Sequence, residues 1–324
     1  METIHRNAHM IYPISVPTRS NLKTFNFYLL EEEGTLSLID AGVNSDKCWD
    51  YFLGTLQEHG FNLSDLSRII ITHNHEDHVG LIDRIVTEHD ISVYAPGKSI
   101  HLLKRDQDFF RMRIDFFKEL YEKMGSGDYG TQQVIKLEEA MKDHEKRKIH
   151  SDITPIDQTV SPRMQVIETP GHSPDHVVLL DDERKWLFSG DHLIKHISSN
   201  AIVEPDQNGK RLSTVLDYEE SLRKCLDFEA DIVYPGHGDL IYNHKDLVTS
   251  RLKGIKRKAD RLLKSVDSGC MTANDIAQAV YQDKYESQFS LVMSEIIGHL
   301  DYLEHHRQVK KELKGGVWNY KVTT

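Results

Sequence analysis

The stretch Thr72-His73-Asn74-His75-Glu76-Asp77-His78 gathers three imidazoles and two carboxylates directly behind the β-branched run Ile69-Ile70-Ile71. Imidazole nitrogen and carboxylate oxygen suit zinc and similar borderline cations. Two histidines two positions apart, followed at once by an Asp-His pair, can build two adjacent sites. His73 and His75 would serve one cation, Asp77 and His78 the other. Ligands need a rigid support that fixes their directions, and the apolar run reads as a strand covered on both faces that ends in the ligand loop. A lone histidine is usually an ordinary satisfied polar group. Three of them behind one strand, with more His and Asp downstream, read as a metal-binding pattern.

The motif resembles the signature of the metallo-β-lactamase superfamily, His-x-His-x-Asp-His followed by a separate His, an Asp and a final His. The later members stand as His172 in Thr169-Pro170-Gly171-His172-Ser173-Pro174, Asp191 in Phe188-Ser189-Gly190-Asp191-His192, and His237 in Tyr234-Pro235-Gly236-His237-Gly238. The resemblance covers roughly residues 10 to 245. It implies an α/β fold, an αββα sandwich, in which His73, His75 and His172 hold one metal while Asp77, His78 and His237 hold the other. Asp191 would bridge them, because two close divalent ions repel each other and need a shared anion. Asp77 is the expected catalytic carboxylate. Asp40, in Ile39-Asp40-Ala41-Gly42, is expected behind the ligands, since a ligating histidine usually donates its free N–H to a carboxylate. The implied cofactor is a pair of divalent ions, zinc first, with manganese or iron as alternatives. Coordination brings a water pKa from about 15.7 to near 7, so the expected reaction is hydrolysis by a metal-bound hydroxide.

The elements that must position these residues follow from local patterns. Residues 10–17, 25–31 and 35–40 read as strands, with Glu32, Glu33 and Gly34 as a turn. Residues 45–59 read as an amphipathic helix closed by Gly60. A helix over about 80–89 leads to a strand at 91–95, and this alternation implies an α/β layer arrangement. Further strands are expected at 163–168, 177–180, 185–188 and 231–234, with a helix over 214–228. Residues of about 100–150 read as a helical insertion, with helices near 103–124 and 133–147 joined by 125–130. Phe109, Phe110, Ile114, Phe116, Phe117, Leu120 and Tyr121 recur there at helical spacing. That face packs on the body or, in part, lines an apolar pocket, with Phe117 as the pocket candidate. His192 and His196, in the loop after Asp191, are substrate-contact candidates, whereas His176 reads as structural or as a support behind the ligands.

Two domains are expected: a catalytic domain at 1–245 and a second unit at 246–324. The tail reads as helices at 246–266, 272–281 and 288–306 and a hairpin turning at Gly315-Gly316. It resembles the winged-helix module appended in one branch of the superfamily. Such a module supports the cleft, makes an oligomer contact or binds nucleic acid.

Bulk composition narrows the function. The chain has 324 residues, 39% hydrophobic and 28% charged, with a net charge of −11, which argues against a dedicated nucleic-acid binder. Residues 249–324 carry 13 Lys and Arg against 9 Asp and Glu, leaving 27 against 42 in the first 248. This asymmetry hints at a partner for the tail. Cys48, Cys225 and Cys270 are far apart, and neither a signal sequence nor a membrane-spanning run is evident. A cytoplasmic protein without membrane attachment is expected. Its first-choice substrate is a small thioester or other acyl ester; an endoribonuclease or phosphodiesterase activity comes second and a lactonase third. Iron-flavin electron transfer and a metal-free binding role rank behind these, because no flavodoxin-like module is seen and the ligand set is complete.

Overall fold

The computed structural model describes residues 4–6, 9–157, 160 and 163–323. The first half of the body runs β1 (Ile4–Arg6), β2 (His9–Pro17), β3 (Thr24–Glu32), β4 (Thr35–Ile39), α1 (Asp46–Glu58), β5 (Leu66–Ile70), α2 (Glu76–Val79), α3 (Ile82–Glu88) and β6 (Ser92–Ala95). Glu33 and Gly34 both take positive φ, 51° and 80°, as a two-residue hairpin turn between twisted strands requires. Ser45 caps α1 by accepting from the Cys48 amide, and Cys48, Trp49, Phe52 and Leu56 form its buried face.

The insertion follows as α4 (Ile100–Leu103), α5 (Gln107–Lys123), α6 (Gly127–Lys142) and α7 (His144–Arg147). Here the sequence reading needs correction, for residues 127–130 are helical rather than a linker. Gly130 lets α6 lie close on α5, since a Cβ there would stand 2.8 Å from the Tyr121 Cβ. The second half of the body comprises β7 (Ile153–Pro155), β8 (Met164–Glu168), β9 (Val177–Asp181), β10 (Trp186–Gly190), α8 (Thr214–Lys224) and β11 (Ile232–Pro235).

Strand alternation sorts the side chains into layers. Phe27 and Leu29 of β3, Leu38 of β4 and Ile69 of β5 pack with α1 and α3. Their neighbours Tyr28, Leu30, Ile39 and Ile70 face the opposite way and meet Leu179, Phe188 and Tyr234 of the second sheet. The other face of that sheet, with Val178, Leu180, Leu187 and Val233, is covered by α8, the insertion and the tail. The result is a mixed α/β sandwich of a seven-stranded sheet, ordered β1-β2-β3-β4-β5-β6-β7, and a four-stranded sheet, ordered β11-β10-β9-β8. Strands β4 to β7 run parallel, as do β10 and β11.

The C-terminal extension consists of α9 (His244–Asp267), α10 (Ala273–Val280), α11 (Phe289–His305), β12 (Val309–Lys314) and β13 (Val317–Val322). Thr272 and Asp275 form a capping box at the start of α10. The sequence boundary at 245/246 falls in the first turn of α9, and the core does not break there. Ile296, Leu300 and Leu303 of α11 belong to the same cluster as Val215 and Leu222 of α8. Gly298 allows this approach, because a Cβ would come within 2.6 Å of a Val215 methyl carbon. Arg211 also pairs with the largely buried Asp301 at 2.7 Å. Among the described residues no helix is long and apolar enough to cross a membrane.

Candidate metal centre

Each element of the candidate centre follows the C-terminal end of a strand. His73, His75, Asp77 and His78 come after β5, Asp40 after β4, His172 after β8, Asp191 after β10 and His237 after β11. Side chains from four separate segments thus form two groups, His73, His75, His172 and Asp191 in one and Asp77, His78 and His237 in the other. Within each, the potential ligand atoms lie within 4.8 Å of one another. His75 Nδ1 lies 3.1 Å from His73 Nε2 and 3.0 Å from His172 Nε2. Asp191 joins the groups, with Oδ2 at 3.4 Å from His172 Nε2 and Oδ1 at 3.1 Å from His237 Nε2 and 3.3 Å from His78 Nε2.

The far side of each ring fixes which nitrogen faces inward. His78 Nδ1 donates to Asp40 Oδ2 at 2.8 Å, His237 Nδ1 to the Thr24 carbonyl at 2.8 Å and His172 Nδ1 to the Asn200 carbonyl at 2.9 Å. These partners can only accept, so each Nδ1 carries the hydrogen and each Nε2 turns inward. Thr72 donates its hydroxyl to Asp40 and receives His73 Nδ1–H at 3.0 Å. Asp40 therefore orients one histidine in each group. It does so from a left-handed backbone, φ 57°, which Asp tolerates better than most residues.

Burial and charge complete the picture. Burial holds His73 well below the ordinary imidazole range and His172 down at about 4, leaving neutral rings with lone pairs. Burial opposes charge on His237 too, but Asp191 and Asp77 outweigh it and lift His237 to about 9. Asp77, resisted by burial but beside His237, is lowered to about 2. His78 Nε2, His237 Nε2 and Asp191 Oδ1 are buried without a hydrogen-bond partner. Cations between the groups would satisfy all three, so the donor set fits a dinuclear metal site.

Close backbone approach makes room. A Cβ on Gly236 would lie 2.6 Å from His78 Cε1 and 2.7 Å from Asp191 Oδ1. Gly171, at φ 133°, passes so near Tyr218 that a Cβ would stand 2.4 Å from its Cα.

Several supporting residues escaped the sequence reading. Thr24 and Asn26 hold the His237 loop, Asn26 donating to the carbonyls of Pro235 and Gly238 at 3.1 and 2.8 Å. The buried Asp175 accepts from the Asn74 amide at 2.8 Å and from Ser99. Nothing local marks these pairings, which join distant segments. His176, by contrast, reads from the sequence as structural or as a support behind the ligands, and it accepts the Asp191 amide at 3.1 Å. Arg251 of α9 donates to the carbonyls of Ile194, Lys195 and Ile197 at 2.8, 2.9 and 2.8 Å, closing the loop that carries Ser199 and Asn200.

The three substrate-contact candidates lie elsewhere. His192 is fully buried against Tyr218, ring centroids 5.2 Å apart, and burial holds its pKa down at about 3. His196 turns to the Asn21 carbonyl at 2.9 Å. Phe117 stacks on Tyr121 in the core. The cleft that opens on His75 and His172, about 590 Å³, is lined instead by Leu102, Phe109, Phe110, Arg113 and Ile202 among others. The aromatic stripe of α5 is thus divided along its length, its first turns in the cleft and its later turns in the core.

Comparison with known proteins identifies the family. Residues 26–237 match the metallo-beta-lactamase superfamily. The "Probable metallo-hydrolase YqjP" of Bacillus subtilis is 29% identical over 316 residues, 96% of this chain and 97% of that protein. The "Thioesterase pkgB" of Emericella nidulans is 25% identical over 230 residues, 70% of this chain and 49% of that one. In fold, the chain is similar to the crystal structure of a metallo-beta-lactamase family protein from Thermus thermophilus, with a TM-score of 0.78 and 22% identity over 97% of this chain and 98% of the other. With its complete run of strand-end His and Asp residues, the chain belongs to the metallo-beta-lactamase superfamily.

Proposed function

We propose that the protein is a dinuclear metal-dependent hydrolase acting on a small thioester or other acyl ester. The observation that carries this reading is the inward convergence of His73, His75, Asp77, His78, His172, Asp191 and His237, with buried ligand atoms left unpaired. Two divalent ions, zinc by preference, would supply a nucleophile from water at neutral pH and polarise the substrate carbonyl. The chain's own residues supply geometry. Asp40 fixes His78 directly and His73 through Thr72. Asp77, the most open carboxylate of the set at 23% side-chain exposure, stays ionised and orients the attacking water by accepting its hydrogen bond. Leu102, Phe109, Phe110 and Ile202 offer the acyl part an apolar wall, where each buried methylene contributes about 0.8 kcal/mol.

The similarity to a protein named a thioesterase supports the acyl substrate. We read the C-terminal extension as a winged-helix-like module acting as a buttress. Its third helix, α11, which would enter a DNA groove in such modules, is buried against α8.

The test is metal analysis of the purified protein, followed by a panel of thioesters, lactones, phosphodiesters and short RNAs. Close to two metals per chain and thioester turnover that responds weakly to salt are expected. Preference for RNA with a steep loss of activity as salt rises would overturn the substrate assignment, and a metal count near zero after metal-replete purification would overturn the centre.

A further inference from the structure

One side chain in the cleft wall holds a costly backbone position and has donors to spare. Arg105, between α4 and α5, has φ 53°, a left-handed conformation that an arginine adopts at a cost of about 1–2 kcal/mol. Such outliers persist where the surroundings dictate them, and they cluster at ligand-binding positions. The Arg105 side chain is 20% exposed, and its Cζ sits 5.1 Å from the centre of the Phe110 ring. Both residues line the 590 Å³ cleft and an adjoining pocket of about 180 Å³, and both cavities also touch Asn74 and His75.

Charge around Arg105 is unbalanced. Among the described residues, its only side-chain hydrogen bond goes to Glu76 Oε1 at 3.1 Å, and the same oxygen already receives Arg147 at 2.7 Å. Two guanidiniums thus share one carboxylate oxygen, while a guanidinium has five N–H donors to place. Burial lowers the proton affinity of Arg105, and Arg147 and Arg113 add to that pressure while Glu76 opposes it. The other charges of the cleft are committed or muted. Arg113 grips Glu204 through both fork nitrogens, and Lys98 pairs with Glu168 at 2.8 Å. Asp206 accepts the amides of Asn208 and Lys210 at 2.8 and 2.9 Å, and burial raises the Asp217 carboxyl toward its neutral form.

We propose that Arg105 is the anchor for an anionic group of the substrate, a carboxylate or phosphate bound by its guanidinium fork beside Phe110, at the edge of the cleft that touches His75. This rests on the acyl-hydrolase reading and narrows it to substrates with a charged end. A planar fork matches two oxygens at once, which suits such groups better than an ammonium. A carboxylate on the acyl side and a phosphate on the thiol side share this chemistry.

The experiment compares kcat/KM of the metal-loaded protein within two pairs of thioesters: succinyl against its neutral succinamyl counterpart, and acetyl on a phosphate-bearing thiol against acetyl on the unphosphorylated thiol. Wild type should favour one charged member about 10- to 100-fold, the size of one charge-assisted bidentate pair. Arg105→Gly, which suits a left-handed backbone and so spares the fold, should collapse that ratio toward one. Arg105→Lys should leave an intermediate ratio. The arm that collapses identifies the source of the anion. Equal rates on charged and neutral members in wild type, or a preference that survives Arg105→Gly, would overturn the anchor. Should no thioester be hydrolysed, the reaction fails, and the anchor is judged by calorimetry with succinate and inorganic phosphate. Binding at least about 10-fold weaker in Arg105→Gly supports it, and equal binding removes it.

Discussion

The floor of the cleft and its wall are built on different terms. On the floor, all seven candidate ligands follow strand ends, most are buried, and each inward nitrogen of His78, His172 and His237 is set by an acceptor behind its ring. The wall comes from the insertion and from the 201–212 segment, with half-buried side chains such as Phe109, Phe110 and Arg105. Strand ends in a packed sandwich cannot shift without disturbing two cores, whereas a helix laid over the mouth can change its side chains cheaply. On the proposed reading, reaction type is seated on the floor and selectivity on the wall.

This contrast can be broken by substitution. Asp191→Ala should have the largest effect, because it removes the carboxylate common to both groups. Metal content should fall well below two per chain and turnover should drop to background on every substrate, with thermal melting as the check on folding. Retained activity would place the reaction outside this centre. Asp40→Asn keeps the shape but weakens the acceptor behind His78 and His73, and a loss of about 10- to 100-fold in metal affinity or activity is expected. Metal titration against wild type measures it; an unchanged affinity would mean that Asp40 serves only the backbone of Thr72, whose amide it accepts at 2.9 Å.

On the wall, Phe110→Ala should act through KM and chain-length preference, by roughly 10-fold between short and long acyl groups, while metal content stays constant. If kcat falls equally for all substrates, the division between floor and wall is wrong. The smallest effect on turnover is expected at Asp301, which does not line the cleft. Burial, against the pull of Arg211, raises Asp301 from 3.8 to about 6. The folded state then keeps a proton that the unfolded chain has already released, so the contribution of this group to stability is fully present below about pH 4 and is lost as pH rises to about 6, by about 2–3 kcal/mol. Asp301→Asn should flatten this slope in denaturant melts at several pH values without altering turnover at neutral pH.

The same division governs what the sequence discloses. Strand ends carry their chemistry in short local patterns, so His73, His75, Asp77 and His78 were legible at once and His172, Asp191 and His237 by resemblance. Asp40, at the end of another strand, was likewise legible by resemblance. The first helix of the body was legible from its amphipathic pattern and from Gly60 at its end, and the structure starts it at Asp46 behind the Ser45 cap. Contacts over the mouth depend on how far an insertion reaches across the sheet, which no periodicity reports. Phe117 was chosen from the right stripe but lies two turns too far along α5, and His192 turns beneath the floor. Thr24, Asn26 and Asp175 were missed because each acts across a gap that only folding closes. The tail's helices were legible; that α11 would be buried on α8 was not, since its apolar residues could equally have packed within a separate module.

The pairing of His237 with the Thr24 carbonyl joins residues 213 positions apart. Closing so long a loop carries an entropic penalty, and folds rich in distant contacts form slowly. A nascent chain exposes the His73 cluster long before its last partner has been synthesised. On the proposed reading, hydrolytic competence therefore arrives as a late event in maturation, and a polypeptide truncated before residue 237 lacks one of the seven candidate ligands.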